Sequence, residues 1–233
     1  MHKENATPTA TTSAGLVMRP ACAENVEPHG KYVVVAVGPI ESCRSLYTAL
    51  RDKIARIEKS LVQRFISWIN GESVATLRAQ MACIPMERKW ADEIDNLVTT
   101  VGKNLLLDTI LTGTTYTAAS RMGLKGAGSA VVGDTQASHG AWLEVGLANA
   151  PTYTGNRQTP SFSAAAAGSK ATSAAVSFAI TGTGTVAGCF ININGSATKD
   201  DTTGTLYSAG DFSGGSRSVI NGDTLNVTYT ATA

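Results

Sequence analysis

The sequence has little with which to do chemistry. Only three of its 233 residues are histidine, and two of them, His2 and His29, fall within the first thirty positions. The four cysteines, Cys22, Cys43, Cys83 and Cys189, stand 21, 40 and 106 positions apart. No C-x-x-C pair exists from which a zinc site or redox motif is built, so they read as isolated thiols made in a reducing cytoplasm. Charge is also sparse and balanced: 19 Lys and Arg face 18 Asp and Glu, a net charge of +1 that creates no field to gather nucleic acid or an acidic membrane surface. No uncharged run approaches the ~20 apolar residues of a membrane span, and the N-terminus lacks the basic start and apolar run of a secretory signal. These absences leave proteins as the expected partners, with no cofactor, no metal, no nucleic acid and no membrane.

What is present is 43% hydrophobic content in a chain long enough to bury a full core without a disulfide or metal staple. Residues 1–30 contain Pro8, Pro20 and Pro28 among small polar residues and read as an extended arm, either a free tail or one that docks on a neighbour. Lys31 to Val37 is β-branched and bounded by Gly30 and Gly38-Pro39, the signature of a short strand. Then the periodicity changes. Leu46, Leu50, Ile54, Ile57, Leu61, Phe65 and Trp68 recur at intervals of 4, 4, 3, 4, 4 and 3, which predicts one amphipathic helix of roughly 40 Å ending at Asn70-Gly71. Val62, Ile66 and Ile69 widen its stripe, which suggests contact with its own domain, with a partner subunit, or with both. Val74, Leu77 and Met81 predict a shorter helix folding back on it as a hairpin before Pro85.

Residues 101–111 predict a further short helix, with Thr99 or Thr100 as N-cap and Gly113 beyond its end. After that the composition turns to Thr, Ser, Ala and Gly. Six short runs, 115–124, 141–147, 174–181, 185–193, 204–208 and 224–230, predict strands of an antiparallel β-sandwich or jelly roll. In the last, Leu225, Val227 and Tyr229 alternate with Asn226, Thr228 and Thr230, and a strand ending the chain is expected at a sheet edge, open to another subunit. Leu46, Leu50, Ile54, Ile57, Leu61, Phe65, Trp68, Leu225, Val227 and Tyr229 are therefore the candidate interface residues.

Catalytic patterns are weak. His139 has Asp134 and Ser138 nearby, but near-neighbours in one loop do not generally point at one another, and no G-x-S-x-G elbow is present. Gly182 to Ala187 fits a relaxed dinucleotide fingerprint, yet strand-like residues follow where that motif needs a helix N-terminus. Asp200-Asp201 lacks the spaced carboxylates of a calcium loop. No enzymatic activity is expected.

Several segments resemble small virion proteins of tailed bacteriophages, of the capsid decoration or cement type. They are Asp95 to Asn104 with Leu107-Asp108; Tyr116 to Ala119 with Met122-Gly123-Leu124; Asp134-Thr135 and Ala137-Ser138-His139 with Trp142 and Glu144; Gly204 to Gly210 with Phe212; and Gly222 to Tyr229. The likeness covers roughly residues 92–233, with Lys31 to Val37 and Trp90. It implies a mainly β module, a sandwich or jelly roll over 31–40 and 89–233, on the outside of a phage head, binding the major capsid protein and self-associating there. A tail-associated fibre, adaptor or receptor-binding part is the alternative. Residues 41–88 depart from the family's pattern and read as a helical insertion between two early strands.

Overall fold

The computed structural model describes residues 28–111 and 120–232; the expected arm up to residue 27 lies outside them. The first strand, β1 (His29–Pro39), begins two positions before the expected one. Tyr32, Val34 and Ala36 are buried in the core while Val33, Val35 and Val37 are half-buried on the opposite face, the period-two alternation of a strand. On one side β1 pairs antiparallel with β2 (Met86–Val98), on the other with β11 (Thr224–Thr232). The end of β2 passes onto β9 (Thr205–Asp211), followed by β8 (Gly188–Ile193), β3 (Ser120–Lys125) and β4 (Glu144–Val145). β11 carries β5 (Ser169–Ala171) and β6 (Val176–Ala179) on its outer side. The result is one large antiparallel sheet of nine strands. A separate pair, β7 (Gly184–Val186) and β10 (Arg217–Val219), sends Val186 and Val219 into the same core. Four helices complete the described fold: α1 (Arg44–Lys59), α2 (Leu61–Ile69), α3 (Val74–Ala82) and α4 (Thr100–Leu111).

Several expectations are corrected. The closing strand is not at an edge: β11 is paired along both sides, and Leu225, Val227 and Tyr229 lie in the chain's own core. Such side chains have no free surface to give a partner. The run 185–193 is two strands, because Ala187 leaves the register to donate its N–H to the Lys125 carbonyl. Residues 115–119 of the strand expected at 115–124 lie outside the described residues. β2, β5 and β10 had no clear sequence signal. β2 alternates inward as Trp90, Asp92, Ile94, Asn96 and Val98, and two polar members disguise the pattern. Asp92 is buried, which pushes its carboxyl up. Hydrogen bonds from Arg217, Ser213 and the Glu93 N–H outweigh that and hold it below the usual carboxylate range. They also tie the β7–β10 pair to β2.

Tyr32 and Tyr229 face each other on β1 and β11 with ring centroids 4.6 Å apart. Tyr32 Oη lies 2.6 Å from Ser208 Oγ of β9, and Asn96 Nδ2 donates to Tyr229 Oη, so the two halves of the sheet are joined by hydrogen bonds inside the core. Burial pushes both phenols up, which keeps them neutral in these roles. Thr99 caps α4: its Oγ1 accepts from the Gly102 N–H, and its own N–H donates to the Tyr207 carbonyl. Gly102 is required there, since a Cβ would sit 2.4 Å from the Tyr207 oxygen. Gly123 opposes Phe190 across β3 and β8 and leaves room for its ring, 2.4 Å from where a Cβ would stand.

The helices α1 to α3 leave the sheet at the β1–β2 connection and return to it. Pro39 pairs with Met86, and the Ile40 N–H donates to the Pro85 carbonyl at 3.2 Å, so the two ends of this excursion are hydrogen-bonded neighbours. Its own small core joins Ile54 and Ile57 of α1 to Leu77 of α3, with Leu50, Val74 and Met81 packed around them. The single long helix expected over 46–68 is in fact two, broken at Ser60, whose φ of −126° and ψ of 121° are extended. Ser60 Oγ accepts from the Gln63 N–H, the competing local bond that makes serine a helix-starting residue. The base of α1 is held by Arg44, which donates to Asp223 Oδ1 and the Asn221 carbonyl, and by Arg51, which reaches the Ile180 carbonyl and Asn221.

Replacing residues 41–84 by a short polar turn is expected to leave a soluble, folded β-domain. Its stability should fall by about 1–3 kcal/mol as the Arg44 and Arg51 contacts are lost. Circular dichroism and urea denaturation check this; an insoluble or unfolded product would show the helices to be integral to the β-core.

Candidate functional site

The groups that the sequence singles out for possible chemistry are occupied in holding loops. His139 stacks on Trp142 with centroids 4.0 Å apart, and its Nδ1 lies 3.0 Å from the Trp142 carbonyl. Asp134 Oδ2 accepts from Trp142 Nε1 and from the Val131 N–H, both at 2.9 Å. No histidine-to-aspartate bond forms, and Ser138 donates only its N–H, to Thr135. Trp142 is buried against Phe190, Leu206 and Ala209, so the 126–143 loop covers the face of β8 and β9 turned away from the main core. Asp200 Oδ2 accepts the Ala148 N–H of a neighbouring loop at 3.1 Å, and Asp201 Oδ1 accepts the Thr203 N–H within its own loop at 2.8 Å.

The strongest electrostatic feature was not apparent from spacing. Arg157 and Glu144 form a buried bidentate pair, Nε to Oε1 at 2.9 Å and Nη2 to Oε2 at 2.6 Å. Arg157 also donates to the carbonyls of Ser196 and Asp201, and Glu144 accepts the Asp200 N–H. Beside them Lys199 donates to the carbonyls of Gly146 and Tyr153 and lies 4.1 Å above the Tyr153 ring. Burial lowers the Lys199 ammonium, with Glu144 and Asp200 opposing the shift. These bonds lock β4, the 146–168 loop and the 194–204 loop together. The only clue in the sequence was the charge of Arg157, Lys199 and Glu144 within an otherwise nearly uncharged stretch.

The candidate interface residues divide sharply. Ile54 and Ile57 are buried within the helical unit, and Leu50 packs against them. Leu46, Leu61 and Phe65 are exposed, Leu61 to 81%. The Trp68 side chain lies outside what the structure describes. Leu225, Val227 and Tyr229 belong to the core, as above. Val62, Ile66 and Ile69 are exposed beside Leu61, so α2 presents an apolar stripe to solvent. The break at Ser60 explains this. The nine residues of α3 span about 13.5 Å and cover the C-terminal half of α1, leaving no element of the helical unit to cover α2. Monomeric proteins seldom leave so much apolar surface together without a partner.

Between α1 and α2 lies a cleft of about 840 Å³, with Arg56 and Ile57 on one wall, Lys59 and Ser60 at the break, and Gln63 and Ile66 on the other. A second cavity, of about 460 Å³, separates α4 from the sheet and is lined mostly by apolar groups, among them Leu105, Leu106, Phe162 and Ile191. Among the described residues no group of three or more His, Cys, Asp or Glu could hold a metal ion, and no described helix is long and apolar enough to cross a membrane. Family models, curated proteins and solved structures were all compared with the chain, and none matches it.

Two outcomes separate structural from surface roles. Arg157→Met should destabilise the fold by about 3–5 kcal/mol, because it leaves the Glu144 carboxylate buried without its partner. The double change Leu61→Ser and Ile69→Ser should shift stability by less than about 0.5 kcal/mol, whereas Ile57→Ala should cost about 2–4 kcal/mol. Urea denaturation of the three variants measures all of these.

Proposed function

We propose that this chain is a structural protein of a tailed-bacteriophage particle, a capsid decoration or cement protein on the outer surface of the head. In this reading the large antiparallel sheet folds on itself as a sandwich of jelly-roll type. It lies on the shell, binds the major capsid protein and self-associates between neighbouring copies. Its work is done by shared contact area, with no bond made or broken. The observation that carries the reading is the exposed apolar stripe of α2, held away from the sheet on a hydrogen-bonded β1–β2 excursion. The segments that resemble decoration proteins support the same reading. In particular the run from Asp95 to Asn104 forms the end of β2, the Thr99 cap and the first turn of α4, a joint set by specific backbone contacts.

A surface of this kind is suited to symmetric repetition. One nine-residue helix face is small, but many copies on a regular shell act together, so modest individual contacts sum to strong reinforcement. Quantifying this chain against the major capsid protein in purified virions tests the proposal. Hundreds of copies, of the same order as the shell subunits, are expected. A count of about a dozen or fewer would move the protein to the tail, as a fibre, adaptor or receptor-binding part.

A further inference from the structure

The cleft between α1 and α2 has a chemistry that narrows what can enter it. Its cations are Lys53, Arg56 and Lys59, against the single carboxylate of Glu72. Lys53 is neutralised by Glu72 at 2.6 Å, and Glu58 outside the cleft is taken by Arg78 at 2.6 Å. Arg56 and Lys59, together with Arg64 on α2, have no ion pair within the described residues. The same cleft holds Ile57 and Ile66, and the exposed Leu61 and Val62 lie at the start of α2 immediately beyond the break. A concave, mostly polar site that carries unneutralised cations and has the exposed Ile66 at its edge, beside the apolar stripe of α2, matches an amphipathic segment whose polar positions are acidic.

Resting on the reading of this protein as a subunit-binding module, we infer that the α1–α2 cleft receives an acidic amphipathic segment of a partner protein. The partner's apolar side chains pack on Ile66 and the α2 stripe, and its carboxylates meet Arg56 and Lys59. Charge disfavours a second copy of this chain as the occupant, since a two-fold contact centred on the cleft would set the same cations against each other.

The test uses the full chain and two synthetic peptides of about 18 residues that share leucines at helical spacing, one with glutamate at the other positions and one with lysine. Binding is read by fluorescence anisotropy of the labelled peptides. The glutamate peptide should bind. Binding should weaken about tenfold in Arg56→Glu with Lys59→Glu, and again on raising salt from about 0.05 to about 0.5 M; the lysine peptide should bind at least about tenfold more weakly than the glutamate one. Equal binding of both peptides, or no change on charge reversal, would overturn the inference. So would preferential binding to phosphatidylglycerol vesicles or to single-stranded DNA, and so would self-association that the charge-reversed variant strengthens. These variants also separate the two proposals: if charge-reversed protein still joins virions while Leu61→Ser with Ile69→Ser does not, the apolar interface stands and the acidic partner falls.

Discussion

Everything in this fold depends on β1 finding two partners from opposite ends of the chain. Its backbone groups are buried on both flanks, and an unpaired N–H or C=O there would cost as much as a lost hydrogen bond. β2 supplies one flank from within the first hundred residues, and β11 supplies the other only when the last nine described residues arrive. The alternation of Tyr32, Val34 and Ala36 against Leu225, Val227 and Tyr229 then seals the core at this seam. A sheet closed by its terminal strands is rich in long-range contacts, which places the chain among topologies that fold slowly and as a unit.

That closure also removes the edge of β11 as an interaction surface. A strand paired on both sides has no edge to offer, so contact by strand addition at β11 is closed off. The long loops are equally committed, pinned by the Arg157–Glu144 pair and by Trp142 with its Asp134 and His139 contacts. The two ends of the helical excursion occupy adjacent positions of one hairpin. α1 and α3 share a small core of their own, and the Arg44 and Arg51 contacts set their orientation at the base. The exposed stripe of α2 is thus carried at a defined place relative to the sheet.

Much of this was legible from residues alone. The structure places His139, Asp134, Asp200 and Asp201, the residues the sequence singled out for possible chemistry, in loop-holding contacts. The 3.6-residue spacing located the helical unit, and the Thr99 cap located α4, because capping and amphipathic periodicity are local properties written in consecutive residues. β2 was expected only through the resemblance, as the second early strand, because its inward Asp92 and Asn96 hide the alternation; distant Arg217, Ser213 and Tyr229 supply their partners.

By itself, then, the sequence determined the mainly β composition and the helical stretch after the first strand, since both follow from short-range pattern and residue type. Tertiary structure alone decided that Leu225, Val227 and Tyr229 are core while Leu61, Val62 and Ile69 are surface. Both sets are apolar and periodic. What separates them is whether another segment of the chain is long enough and near enough to cover them, and that is a fact of three-dimensional packing which no local pattern contains.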